Sequence, residues 1–220
     1  MSMSYLMLIV LTLIIGVGAQ AWVNGALKKY SKKPIESGKT GAEAAHEMLS
    51  YYGLSIPVNM GGEGQDFFDP RSNSITLSPS SYHGSSITAL ATACHECGHA
   101  CQYAQKYFPM TFRSALVPVV NTCSNIWAVI LIAGIALNLA GLTWLAIGLY
   151  AMSVVFALVT LPVEFNASNR AIAYMNSIGL AKNEIRGSKS VLRACAFTYV
   201  AAMLSSLLQL LYLIGTQDRN

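Results

Sequence analysis

Three stretches without a single Asp, Glu, Lys or Arg constrain this chain more than anything else in it: residues 1–27, 114–163 and 194–217. A helix needs about 20 apolar residues to cross a bilayer. The outer two stretches each accommodate one crossing, and the middle one accommodates two with a turn. Four transmembrane helices follow. Composition agrees, since only 11% of residues are charged and mean hydropathy is +0.46, against about 25% charged residues in soluble domains. Two polar segments remain, 28–113 and 164–193. The net charge of +4 reads as orientation charge on a membrane protein and calls for no nucleic-acid partner. Five cysteines, an odd number without an extracellular spacing pattern, read as reduced thiols.

The charges that do occur set the expected topology. The first span is predicted over residues 4–23, with Trp22 as interface anchor, and Lys28, Lys29, Lys32 and Lys33 follow at once. Such a cluster stays in the cytoplasm. The rival reading is a signal peptide cut after Ala19-Gln20-Ala21; an n-region without Lys or Arg, and four lysines just past the site, argue for a retained anchor. A hairpin is expected over 116–137 and 142–161, broken at 138–141. Pro162 is placed to start a new helix ending near Gly179. The second polar segment carries Arg170, Lys182, Arg186, Lys189 and Arg193 against Glu164 and Glu184, so it too is expected in the cytoplasm. A last span at 195–215 leaves the C-terminus outside. The expected organisation is a first anchor (1–27), a cytosolic metallopeptidase region (28–113), a transmembrane hairpin (114–163), a cytosolic helical segment (164–193) and a fourth span with its tail (194–220). The fold class is a mainly α integral membrane protein with four transmembrane helices and a cytosolic zincin-like domain containing a small β-sheet.

Within the first polar segment, Thr40-Gly41-Ala42-Glu43 forms a capping box that starts a helix near Gly41, to end before Gly53. Ser74-Ile75-Thr76-Leu77 alternates and reads as a short strand. Its sheet is either a structural hairpin or an edge for a substrate backbone. Ser85 or Ser86 caps a helix running to about Tyr107, before Pro109.

That helix carries Cys94-His95-Glu96-Cys97-Gly98-His99, the pattern H-E-x-x-H. Positions four apart share one face of a helix, so both imidazoles can reach a single Zn²⁺ ion, with Glu96 beside it to handle a proton. A catalytic zinc site takes three protein ligands and leaves one position open. On position alone the third ligand lies among Glu164, Glu184, His83 and His46. Glu164 is the first charge after fifty uncharged residues and emerges at the membrane surface, where a carboxylate needs a partner. Cys94, Cys97 and Cys101 lie on a different stripe of the helix and read as small core residues.

The sequence resembles the YugP-like neutral zinc metallopeptidases, a family of bacterial membrane proteins. The matching stretches are Thr40-Gly41-Ala42-Glu43, Tyr82 onward into the H-E-x-x-H motif, 113–121, Leu161-Pro162-Val163-Glu164-Phe165-Asn166-Ala167-Ser168, and Thr198-Tyr199-Val200-Ala201-Ala202. The arrangement is also similar to gluzincin proteases of the HtpX type, in which a glutamate on a later helix completes the site. The resemblance implies metal ligands His95, His99 and Glu164, one Zn²⁺ per chain, and a place in the bacterial cell (inner) membrane; the charge placement above puts the active site on the cytoplasmic side. It implies peptide-bond hydrolysis by a zinc-activated water, Glu96 being the general base. Substrates are expected to be proteins or peptides associated with the membrane, and the bilayer itself is the other partner. Two positions depart from the pattern. Asn166 stands where relatives often have Asp, which bears on a hydrogen bond to a ligand histidine, and Cys97-Gly98 replaces an aliphatic residue and Gly. His83 and Arg170 are candidate oxyanion donors. The competing expectation is an idle membrane module in which zinc, closed off by a fourth protein ligand, merely ties the two polar segments together. Cleavage within the bilayer and transport fit less well: Glu96 and Lys106 interrupt the motif region, and the spans offer no charge for an ion site.

Overall fold

The computed structural model describes residues 3–217; the expected external tail at 218–220 lies outside them. The elements run α1 (Met3–Ser31), α2 (Gly41–Tyr51), β1 (Val58–Met60), β2 (Phe67–Asp69), β3 (Ser74–Leu77), α3 (Pro79–Tyr82), α4 (Ile87–Ala104), α5 (Phe108–Ala136), α6 (Ala140–Ser177) and α7 (Lys182–Gln217). Four of these helices, α1, α5, α6 and α7, are long and apolar enough to cross a membrane.

The chain divides into two compact units. Among the described residues the first gathers 3–20, 111–161 and 198–217. Its helices pair through rings, Tyr5 with Tyr212 at 5.3 Å and Trp127 with Tyr150 at 4.7 Å. Gly134 lets the hairpin arms close, since a Cβ there would stand 2.9 Å from the Thr143 nitrogen. Leu13, Ile14, Val129, Ile132 and Ile135 are all more than half exposed. An apolar surface of this kind is stable against lipid and costly against water.

The second unit gathers Ala21–Met110 and Pro162–Phe197. Its core joins Ala45, Met48 and Leu49 of α2, Ala93, Cys94 and Cys97 of α4, Ile75 and Leu77 of β3, Tyr174 and Met175 of α6, and Val191 of α7. The helix α2 begins as its capping box dictates: Thr40 Oγ1 accepts from the Glu43 N–H, and Glu43 Oε2 accepts from the Thr40 N–H at 2.7 Å. Gly53, at φ +68°, follows the helix end. The sheet has the order β1-β3-β2, with β1 parallel and β2 antiparallel to β3. Alternation in Ser74–Leu77 has its physical counterpart, since Ile75 and Leu77 are fully buried.

Four boundaries differ from the expectations. The first helix continues past residue 23 to Ser31, because Ala26 packs with Val23 and Ala194. The motif helix stops at Ala104, where Lys106 takes a left-handed conformation (φ 52°), and α5 starts at Phe108 so that Pro109 falls in a first turn that needs no proline N–H. Pro162 starts no helix: α6 runs unbroken through it from Ala140 to Ser177. Likewise α7 absorbs 182–193 and the last span into one helix. At 38 and 36 residues, α6 and α7 measure about 57 and 54 Å, well beyond a hydrocarbon core of about 30 Å.

Candidate metal centre

The motif helix α4 is capped by Ser86, whose Oγ accepts from the Ala89 N–H at 3.2 Å. Its other faces are filled by the buried thiols Cys94, Cys97 and Cys101, so His95 and His99 are left on the face that meets α6. Gly98 sets that approach. A Cβ there would come within 2.5 Å of the Ala167 carbonyl oxygen, so only glycine lets the two backbones lie this close.

At this contact His95, His99 and Glu164 bring their ligand atoms together. The two Nε2 atoms are 3.2 Å apart, and Glu164 Oε2 lies 3.3 Å from His95 Nε2 and 3.7 Å from His99 Nε2. Ligands at zinc bond lengths of 2.0–2.1 Å on a tetrahedron are separated by about 3.4 Å. The triangle therefore fits zinc.

The protons agree with this. The Val163 carbonyl can only accept, so the Gln102 amide NH₂ must face it, as the 2.8 Å contact shows. Gln102 Oε1 is then the atom 3.1 Å from His99 Nδ1. Nδ1 carries the proton and donates it, which leaves a lone pair on Nε2. Ser168 Oγ stands 3.2 Å from His95 Nδ1, where its hydroxyl can take the Nδ1 proton as acceptor and so leave Nε2 free for a metal. Two imidazole lone pairs aimed at one point repel unless a cation occupies it. Among the described residues no other group of three His, Cys, Asp or Glu side chains forms such a cluster.

Glu96 is 8% exposed. Burial pushes its carboxyl up to about 7; the neighbouring His95 opposes this, the charges of Glu164 and Asp66 add to it, and the Phe68 backbone N–H opposes it.

The other candidates are placed elsewhere. Glu184 is buried but engaged, its Oε1 accepting the Glu36 N–H at 2.6 Å and its Oε2 the Ala181 N–H at 3.1 Å. His46 is exposed on α2. His83 caps α3 against the Tyr82 ring. Arg170 spends its donors on Asn166 Oδ1 and Gln105 Oε1. Asn166 makes no bond to a ligand histidine: its Oδ1 accepts from Gln102 Nε2 at 3.0 Å, so it acts on His99 through Gln102. Gln102 and Ser168 are the residues that sequence reasoning missed. A signal was present, for Gln102 lies three residues after His99 and Ser168 four after Glu164, each on its partner's helix face.

Four helices long and apolar enough to cross a membrane, and a largely buried His95-His99-Glu164 triangle that could hold a metal ion with Glu96 nearby, are the features to set beside known proteins. The family profile described as "Putative neutral zinc metallopeptidase" matches residues 5–218, and the chain belongs to that family. It is 41% identical over 212 residues to "Putative membrane protease YugP" of Bacillus subtilis (strain 168), covering 95% of this chain and 94% of that one. No solved structure matches the chain.

Proposed function

We propose that this chain is a membrane-bound zinc endopeptidase in which Glu96 is the general base and a single zinc is held by His95, His99 and Glu164. The observation that carries the reading is the three-ligand triangle with Glu96 buried beside it. Three protein ligands leave a fourth position open, as catalysis requires. The idle-module alternative needs a fourth protein ligand, and His83, Cys94, Cys97 and Cys101 do not belong to the cluster. Zinc in such a site supplies a Lewis acid that acidifies water and polarises a carbonyl. Gln102 and Ser168 hold the two imidazoles in the metal-binding tautomer. Glu96 takes a proton from the attacking water and returns it to the leaving amine. The strand β2 lies at an edge of the sheet and supplies the Phe68 N–H that acts on Glu96, which supports an extended peptide docking along it.

The site faces the cytosol in this reading. The support is the placement of Lys28, Lys29, Lys32 and Lys33, and of the basic residues 170–193, next to the charge-free runs. Reporter fusions at Lys39 and Lys189 should both register as cytoplasmic; an external signal from either reverses the orientation.

The deciding experiment is Glu96→Gln. It should keep its zinc and lose hydrolysis of an unfolded protein substrate by about 10²-fold or more. Wild-type proteolysis in that variant removes Glu96 from the chemistry.

A further inference from the structure

Residues of α6 and α7 line an open cleft of about 160 Å³, roughly ten times what a single water needs. Its walls are apolar, formed by Phe165, Ile172, Leu192 and Ala196. Lys189 and Arg193, four residues apart on one face of α7, line it as well, and no acidic side chain does. Among the described residues neither cation has an ion pair or hydrogen bond, and both are exposed. Asn169 adds a neutral amide. Isolated cations facing apolar walls suit a ligand with an anionic head and a hydrocarbon body.

Position on the chain says which such ligand. Arg193 is the last charge before the uncharged run 194–217, and Phe165 and Phe197 beside it are 45% and 39% exposed. Cations at the end of a membrane helix lie at headgroup depth, where basic pockets between helices bind anionic lipid headgroups. We propose that this cleft is a binding site for an anionic phospholipid, with the headgroup phosphate between Lys189 and Arg193 and an acyl chain along Phe165 and Ile172. The site has a direct neighbour in the metal centre: Ser168, whose hydroxyl holds His95 Nδ1, forms part of its lining. Lipid binding itself does not depend on proteolysis.

The test uses the full chain purified from detergent and reconstituted in nanodiscs of phosphatidylglycerol, phosphatidylcholine or their mixture. Retained lipid is read by native mass spectrometry after release. The wild type should retain phosphatidylglycerol in preference to phosphatidylcholine, and K189Q/R193Q should retain about tenfold less. The charge-conserving K189R/R193K should restore retention. The control K182Q/R186Q, which removes two exposed cations of α7 that do not line the cleft, should behave as wild type. Inorganic phosphate at tens of millimolar should not displace the lipid. Equal retention in K189Q/R193Q, equal retention of phosphatidylcholine, failure of K189R/R193K to restore binding, or displacement by free phosphate would each overturn the proposal, the last in favour of a soluble-phosphate site.

Discussion

Gln102 and His99 lie one turn apart on α4, and the 3.1 Å contact between Gln102 Oε1 and His99 Nδ1 fixes which imidazole nitrogen is free for a metal. The same amide reaches across to the Val163 carbonyl and Asn166 Oδ1 on α6. One fully buried side chain thus orients a ligand on one helix and ties it to the helix bearing the third.

Gln102→Leu keeps the volume and removes every one of these bonds. Partners of ligand histidines tune metal affinity by about 10–100-fold, so zinc affinity in a chelator competition should fall within that range. The buried His99 Nδ1–H, left without its acceptor, should also cost about 1–3 kcal/mol of stability. Unchanged zinc affinity would mean that His99 needs no orienting partner.

Glu164 and Glu184 are both buried carboxylates at 2% and 4% exposure, yet they should separate cleanly. Glu164→Ala should lose zinc, because two imidazoles alone make an incomplete site. Glu184→Ala should keep zinc and lose about 1–3 kcal/mol, since the Glu36 and Ala181 N–H groups lose their acceptor. Zinc content of the two purified variants, with their melting curves, checks both halves. Loss of zinc in Glu184→Ala alone would relocate the third ligand.

Gly98→Ala adds one methyl group where the Ala167 carbonyl already stands. The backbones of α4 and α6 must part, and Glu164 moves away from the histidines. We expect a stability loss of about 1–3 kcal/mol, typical of overpacking, together with weakened zinc binding. The control Gly148→Ala, where a Cβ meets nothing within 4 Å, should show neither. Normal zinc affinity in Gly98→Ala would mean that the close approach is not what assembles the triangle.

The motif-helix thiols should be inert. Burial pushes Cys94 up to about 12, Cys101 up to about 11 and Cys97 well above its ordinary value, and the thiolate is the reactive form. At pH 8 native protein should leave these three unalkylated by iodoacetamide, with full labelling after unfolding, as peptide mapping would show. Cys101→Ala should retain zinc. Rapid native labelling, or zinc loss in that variant, would return a cysteine to the metal.

Much of this was legible along the chain. Charge-free runs mark apolar helices because a bilayer crossing tolerates almost no charge. The capping box at Thr40 and the alternation of Ser74–Leu77 mark elements whose bonds are local. His95 and His99 share a face because the helix repeat alone puts them there. The limits of α4, α6 and α7 were not legible, because Pro162 reads as a helix start whenever its neighbours in space are unknown. Glu164 was nominated by position and resemblance, but its distance to two histidines 65 and more residues earlier depends on α4 packing on α6. That packing rests on Gly98 meeting the Ala167 backbone. Helix spacing placed Gln102 beside His99 and Ser168 beside Glu164, and resemblance marked Asn166, but which atoms these side chains meet was decided by the packing of α4 on α6, which supplies the Val163 carbonyl to Gln102 and His95 to Ser168. Sequence periodicity governs which residues share a face of one helix, whereas the meeting of two faces is set by side-chain volume and backbone approach across the gap between them.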